Sequence, residues 1–423
     1  MKTNHVLNMI VAAGLGAHAA HADVNFYIIG DPTTEFLLAN DISDNGIATV
    51  ERTGNAPYSL WSVDGGLITI GGVGAGNGIG GGATISRDGL FVGGTFFNTT
   101  QNYAEWARYD VTADIWTGFG MIPVIGRQLG QAVSAGYGIS GDGLNVVGGG
   151  WTTEGTADYH AIRWTVGSGI TDFGTNVVGN SARANRADLD GSVVTGWQDG
   201  PGRQGCVWVD GIQELIFQTD ATIAGDAWAV SEDGTWVSGS DVGDINGSLW
   251  RYNTVTNVSE DLGNIETPSE QIIGYDMTAD GSLIVGSTWE GGPAFAFGTG
   301  FVWQDGIGMM TASEYFASLG AVIDPSLTLT FISGVSSDAT WFTGWGLTLG
   351  DEVFSWVVEI TPQCAFCDCN ADGVLNVDDI DCFVSAFLGG DLGDADCDGS
   401  GTLNVDDIDC YVTCFLAGCP GSE

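Results

Sequence analysis

"ISGDGLNVVGGG", Ile139–Gly150, reads as a strand, a tight turn and a second strand. Asp142-Gly143 supplies the positive-φ backbone that a two-residue hairpin turn requires, and apolar residues flank it on both sides. The phrase recurs along the chain: "ISDNGIATV" from Ile42, "ISRDGLFVGG" from Ile85, "ADLDGSVVTGW" from Ala187, "VSEDGTWVSGS" from Val230, "MTADGSLIVGS" from Met277 and "VSSDATWFTGW" from Val335. The turn residues are Asn45, Asp88, Asp142, Asp190, Asp233, Asp280 and Asp338, spaced by 43, 54, 48, 43, 47 and 58 residues. A second phrase follows each first one and centres on an aromatic: Trp61, Tyr109, Trp164, Trp208, Trp250, Trp303 and Trp356. It reads as a third strand, a turn and a fourth strand. Four short antiparallel strands per repeat of this length are a propeller blade. The fold class expected is therefore mainly β, a seven-bladed β-propeller over residues 23–361. The last repeat has no fourth strand before Thr361. "VNFYIIG", Val24–Gly30, is the candidate to complete it and so remove the open edges.

The phrasing "I-S-x-D-G", then a Val-rich strand ending in Gly, then "R-W", resembles the HAF-type extracellular repeat family over about residues 40–360. The resemblance implies a secreted β-propeller and no particular activity.

Residues 1–22 carry Lys2, an apolar run from Val6 to Gly16 and the small-x-small site Ala20-His21-Ala22. This reads as a secretory signal peptide, too short to span a membrane, and no later stretch is long and apolar enough to do so. Its removal takes away the only lysine and leaves His160 as the only histidine. Nine arginines then face 53 acids, 9 − 53 = −44. Such a charge argues against nucleic acid and anionic lipid surfaces as partners. A Schiff-base lysine and a histidine-rich metal site are excluded. A Ser-His-Asp triad would have to use His160, which sits in the strand-like "DYHAIRW" and reads as an ordinary packed histidine.

"CDCNADGVLNVDDIDC", Cys367–Cys382, is nearly repeated by "DCDGSGTLNVDDIDC", Asp396–Cys410. Each fits a twelve-residue calcium loop. Asp368, Asn370, Asp372, Val374, Asn376 and Asp379 occupy positions 1, 3, 5, 7, 9 and 12 of the first, with Gly373 at the sharp turn. Asp396, Asp398, Ser400, Thr402, Asn404 and Asp407 occupy the same positions of the second, with Gly401 at its turn. Two Ca2+ ions are expected, one per loop. No entering helix precedes either loop, and an exiting helix is expected after each.

Loop plus exiting helix, duplicated, resembles a type I dockerin of the cysteine-bearing, GC-ending variety over about residues 364–420. The resemblance implies folding on calcium and docking to a cohesin-like or cell-surface protein. This chain departs from it in having Asp rather than Glu at position 12 and no basic residue in residues 362–423. Eight cysteines lie here, Cys364, Cys367, Cys369, Cys382, Cys397, Cys410, Cys414 and Cys419, and a dense even set in a secreted segment reads as disulfides. Cys369 and Cys397 are repeat-equivalent, as are Cys382 and Cys410, which predicts symmetric pairing. Cys364-x-x-Cys367 also has the spacing of half a zinc site. Cys206 is left alone and is expected to be buried and inert.

The loops between second and third strands open on aromatics and carry acids. Phe97, Trp151, Glu154, Trp197, Asp199, Trp289, Glu290 and Trp345 are the candidate ligand face, since aromatic platforms beside carboxylates hold sugars. The competing reading makes these tryptophans structural caps. No carboxylate pair stands out as catalytic. The function expected is a binding or structural propeller displayed through a calcium-dependent tail, recognising polysaccharide. The alternative is a carbohydrate-active enzyme, a glycoside hydrolase or polysaccharide lyase, on the same architecture.

Overall fold

The computed structural model describes residues 22–52, 57–74, 80–122, 131–152, 159–177, 179–240, 247–265, 271–289, 298–362, 367, 369–370, 376–397 and 401–417. The chain divides into two compact units. The larger comprises Val24–Ala317 with Ala321–Ile360, and the smaller is built mainly of Thr361–Glu423.

In the larger unit, β1 (Ala22–Ile29) opens the chain. β2 (Leu37–Ile42), β3 (Ala48–Arg52), β4 (Tyr58–Ser62) and β5 (Gly66–Gly71) form an antiparallel sheet in chain order. So do β6 (Thr84–Ile85), β7 (Phe91–Asn98), β8 (Tyr103–Asp110) and β9 (Ile115–Gly118). The same holds for β10 (Ser134–Ile139), β11 (Asn145–Trp151), β12 (Tyr159–Thr165) and β13 (Gly169–Gly174), and again for β14 (Ala182–Ala187), β15 (Val193–Asp199), β16 (Arg203–Val209) and β17 (Ile212–Leu215). An eight-stranded sheet follows. Its halves are β18 (Asp226–Val230), β19 (Trp236–Ser240), β20 (Leu249–Asn253), β21 (Val258–Gly263) and β22 (Gln271–Met277), β23 (Leu283–Trp289), β24 (Thr299–Gln304), β25 (Gly308–Thr311). Among the described residues the halves are joined by strand pairing at Ser240–Ile273 alone. The last sheet holds β26 (Leu327–Val335), β27 (Trp341–Thr348) and β28 (Val353–Pro362), and β1 pairs with β28 as its fourth strand. First and last segments of the unit thus share one sheet, where the missing fourth strand required them to. Each first strand packs on the preceding sheet, and β2 packs on β26 and β27, so the sheets close a ring.

The recurring turn explains how the ring is pinned. Within a turn, Ser86 Oγ donates to Asp88, Ser231 Oγ to Asp233 and Ser336 Oγ to Asp338, at 2.6, 2.7 and 2.8 Å. The same carboxylates accept the backbone N–H of Leu90, Thr235 and Thr340. Between turns, the residue just before each turn residue reaches its neighbour. Asp44 N donates to Arg87 O, Arg87 N to Gly141 O, Gly141 N to Asp188 O, Leu189 N to Glu232 O, Glu232 N to Ala279 O and Ala279 N to Ser337 O, all at 2.9–3.2 Å. The circle closes through a side chain, Ser337 N donating to Asp44 Oδ1 at 2.7 Å.

Close approach of neighbouring turns is what demands glycine there. Gly46 has φ 75°, and a Cβ on it would lie 2.7 Å from the Trp341 ring of the last sheet. Only Ala339 occupies the corresponding place with a side chain, at φ 60°. Third-strand arginines add a second staple. Arg108 donates to Gly143 O at 2.8 Å, Arg251 to Gly281 O at 3.2 Å, and Arg163 to Gly191 O, each reaching the next turn along.

Packing supplies most of the energy. The third-strand aromatics Trp61, Tyr109, Trp208, Trp250, Trp303 and Trp356 are all buried, and Trp164 half-buried. Losing one such ring costs roughly 3–5 kcal/mol, against about 1 kcal/mol for one neutral hydrogen bond. The core therefore holds the sheets, and the turn circle fixes which sheet follows which.

The closing link gives a direct test. Asp44→Ala should leave the Ser337 N–H without its acceptor and lower stability by about 1–2 kcal/mol. Asp44→Asn keeps an acceptor and should recover most of the loss. Thermal melts of the three proteins decide, and equal melting temperatures would show that the closing bond contributes nothing.

Candidate functional site

A β-bulge interrupts each of β2, β10, β14, β18 and β22 near its middle, between Ala39 and Asp41, Gly136 and Gly138, Ala184 and Arg186, Ala227 and Val230, and Gly274 and Asp276. A bulge breaks the in–out alternation and re-aims side chains. The residues at or beside these bulges build two clusters around the ring axis.

The first lies at the Asp-Gly turn end. A cavity of about 40 Å3, room for a few waters, is lined by Asp41, Arg87, Arg186, Asp188, Glu232 and Asp276 among apolar neighbours. Arg186 Nη1 lies 3.1 Å from Asp41 Oδ2, and Arg87 Nε lies 2.9 Å from Glu232 Oε1. Asp41 Oδ2 also accepts Ile85 N, Asp276 Oδ2 accepts Val335 N, and Arg87 Nη1 donates to Val335 O. Burial pushes Asp276 up to about 6, with Asp41 adding to the rise and Arg87 and Arg186 opposing it. Burial likewise pushes Asp188 up to about 6. These charges are spent on one another and on the backbone of adjacent sheets. Their geometry is that of a lock, and the cavity is too small for a sugar ring.

The second cluster lies toward the opposite end. Arg183 Nε donates to Asn185 Oδ1 at 2.8 Å, and its guanidinium stands 4.1 Å from the Tyr137 ring centre, 5.3 Å from Trp228 and 5.4 Å from Trp197. Arg203 covers the Trp197 ring at 3.5 Å and pairs with Asp199 at 3.2 Å. Trp228 stacks on Tyr275 at 4.9 Å. Asp226 is buried, accepts from Asn185 Nδ2 at 2.7 Å and lies 3.7 Å from Arg203 Nη1. Burial pushes it up to about 6 against the pull of Arg183 and Arg203.

Of the aromatics expected to form an open face, Trp345 is buried and stacks on Phe331 at 4.3 Å, so strand alternation has turned it into the core. Trp197 is buried too, under Arg203. Phe97 and Trp151 are half-buried, and Trp151 lies 4.7 Å from Tyr159. Trp289 ends β23, and Glu154 and Glu290 lie outside the described residues. Tyr137, Arg183, Trp228 and Tyr275 were not singled out by sequence reasoning. Their signal was available: Tyr137, Trp228 and Tyr275 stand five residues before their turn residues, where the other repeats carry Asn40, Ala83, Asn185 and Ser333, and Arg183 is the one cation seven residues before a turn. His160 is buried, with Nδ1 2.9 Å from Asp172 Oδ1. Cys206 is buried and its thiol is pushed up by desolvation, as an inert cysteine should be.

In the smaller unit, α2 (Val377–Gly389) and α4 (Val405–Ala417) are the long helices and α3 (Leu392–Ala395) is short; α1 (Ala312–Ser318) lies almost wholly in the larger unit. Repeat-equivalent rings meet, Phe383 stacking on Tyr411 at 3.9 Å, with Phe387 and Phe415 each 5.9 Å from its own partner. Cys369 pairs with Cys382 and Cys397 with Cys410, the symmetric arrangement, and Cys367 pairs with Cys414. Cys364 and Cys419 lie outside the described residues, as do Asp368, Asp372, Val374, Asp398 and Ser400. Asp379 and Asp407 are completely buried. Asp379 accepts the N–H of Asn370 and Asn376, at 3.3 and 2.9 Å, and Asp407 accepts that of Asn404 at 2.7 Å. Asp396 Oδ2 accepts Gly401 N at 2.8 Å, while its buried Oδ1 has no hydrogen-bond partner among the described residues. Thr402 is exposed beside them.

No protein-family model matches the chain, and no curated protein does. Solved structures do resemble it. An oligogalacturonate lyase from Vibrio parahaemolyticus aligns with a TM-score of 0.51 at 12% identity over 81% of this chain and 97% of that one. The β-propeller domain of the trilobed protease from Pyrococcus furiosus aligns with a TM-score of 0.46 at 12% identity over 76% and 95%. TolB from Acinetobacter baumannii aligns with a TM-score of 0.40 at 14% identity over 67% of this chain, which spans 64% of that protein. The closed ring of antiparallel sheets is of the β-propeller class, as are these structures. Among the described residues no helix is long and apolar enough to cross a membrane.

The axial lock predicts a pH dependence. Asp276 has a folded pKa of about 6, above its ordinary 3.8, so the folded state holds its proton more tightly than the unfolded chain. The stability this confers is complete below pH 4 and lost as pH rises through 6. Asp276→Asn keeps an acceptor for Val335 N and has nothing to ionise. Its melting temperature should fall less than that of the parent between pH 4 and pH 8; an unchanged difference would place the titration elsewhere.

Proposed function

We propose that the chain is a secreted, seven-bladed β-propeller that holds polysaccharide and is displayed through a calcium-dependent, dockerin-like tail. Counting the eight-stranded sheet as two blades gives seven, in line with the seven turn phrases. The disulfides are consistent with an oxidising, extracellular location.

One observation carries the calcium reading: buried carboxylates in a segment without a single basic residue. Asp379 and Asp407 are sealed from water, and Asp396 Oδ1 is buried with no hydrogen-bond partner among the described residues. Backbone N–H groups satisfy part of this charge, no cationic side chain faces it among the described residues, and a bound cation would supply the counter-charge. Asp368, Asn370, Asp372, the Val374 carbonyl, Asn376 and Asp379 would hold one ion. Asp396, Asp398, Ser400, the Thr402 carbonyl, Asn404 and Asp407 would hold the other. Bound calcium would neutralise the loops and orient the helices that follow, presenting them to a cohesin-like or cell-surface protein.

A second reading, a carbohydrate-active enzyme, has one observation in its favour. Asp226, poised near pH 6 beside two guanidiniums, has the character of an acid–base group. Release of reducing ends or unsaturated products from polysaccharides by the purified protein would establish that reading.

Calorimetric titration of the full, oxidised chain with calcium should show two ions bound. Asp396→Ala should weaken one site by about tenfold or more and leave the other, and Asp368→Ala should do the converse. Absence of calcium uptake would refute the proposal for the tail.

A further inference from the structure

We infer that Arg183, framed by Tyr137, Trp197 and Trp228, receives the carboxylate of a uronate residue in an acidic polysaccharide; this rests on the reading that the propeller holds a glycan. The chain has very few cations, and most are consumed by the fold. Arg87, Arg108, Arg163, Arg186 and Arg251 each place a terminal guanidinium nitrogen on a carbonyl or carboxylate of a neighbouring sheet. Arg183 is different. It uses Nε on Asn185 Oδ1, and among the described residues its two terminal nitrogens have no hydrogen-bond partner.

The geometry suits a planar anion. A guanidinium fork matches a carboxylate with two parallel hydrogen bonds. Aromatic faces at 4.1–5.4 Å hold this fork in one place, so little freedom is lost when a ligand binds. Beside it, the half-buried Trp228–Tyr275 stack offers apolar ring area against which a pyranose face packs. The Trp197 Nε1 donor is buried and unpartnered in the same cluster. Asp226 sits between Arg183 and Arg203 and offsets their mutual repulsion without occupying the Arg183 fork.

A neutral sugar has no use for this arginine. A polyanion approaching a chain of formal charge −43 is repelled at long range, but that repulsion is screened beyond roughly 8 Å at physiological salt, whereas a paired contact is not. Recognition is then local and depends on the Arg183 fork.

The test is binding of the full, oxidised chain to polygalacturonate, to the same polymer fully methyl-esterified, to a sulfated galactan and to neutral dextran. Chelator is present throughout, so that calcium cannot bridge polymer to tail. The expected result is binding to polygalacturonate that weakens tenfold or more on esterification. Arg183→Gln should weaken it tenfold or more, and Arg183→Lys, which keeps charge but not the fork, should lie between. Both variants are checked by thermal melt, and Arg183→Lys decides if Arg183→Gln does not fold. Equal binding of acid and ester, preference for the sulfated polymer, or parental affinity in a folded Arg183 variant overturns the inference. Glycan binding without charge preference would leave the broader reading standing and this one not. Failure of the parent protein to bind any polysaccharide would remove both.

Discussion

A circle of hydrogen bonds between turns is the constraint on which the rest of the ring depends. Each link needs a turn close enough to its neighbour to bond backbone to backbone, and that proximity leaves no room for Cβ atoms at positions such as Gly46. The Ser-x-Asp-Gly phrase follows from this: Ser and Asp fix the turn internally, and Gly permits the contact. Six links are main-chain to main-chain, and the seventh uses the Asp44 carboxylate. The side chain occurs where the first and last repeats meet, which is also where β1 joins β28 and spares the structure an open edge.

The arginines show how few cations such an acidic chain needs for its architecture. Arg108, Arg163 and Arg251 cross from third strands to the next turn, each beside an aromatic ring. Arg87 and Arg186 neutralise carboxylates near the axis. With these charges matched, the turn end of the ring is closed by ion pairs, whereas the other end carries aromatics around Arg183. The two ends of one set of strands therefore have different chemistry, and the bulges are what allow adjacent residues such as Tyr275 and Asp276 both to serve the axis.

The tail follows a different strategy. Among the described residues its core is the stacked Phe383–Tyr411 pair and its surroundings, a core of the size that small domains reinforce with cross-links or metal. Disulfides restrict the unfolded chain by roughly 2–4 kcal/mol each, and two of them tie the beginning of a loop to the helix after it. Under the calcium reading, the cation supplies what cross-links cannot, a counter-charge for Asp379, Asp396 and Asp407.

The order of strands was legible in the sequence because turn chemistry is local. Asp-Gly between apolar runs specifies a hairpin whatever surrounds it, and the repeat spacing specifies that hairpins recur. The missing strand before Thr361 pointed to Val24–Gly30 by the same local logic. The tail's symmetric cysteine pairs were legible for a similar reason, since their meaning lies in spacing along the chain. The axial clusters were not. Asp41, Arg186 and Asp276 lie more than a hundred residues apart in the first two cases and meet only because the ring closes. Trp197 and Trp345 looked like exposed platforms because each opens a loop, yet both are buried. Burial is set by what packs against a strand, and that partner belongs to a distant part of the chain. The sequence by itself determined the hairpins and the symmetric cysteine pairs of the tail; only the tertiary structure decided which side chains face the axis, because bulges shift the alternation and ring closure chooses the neighbours.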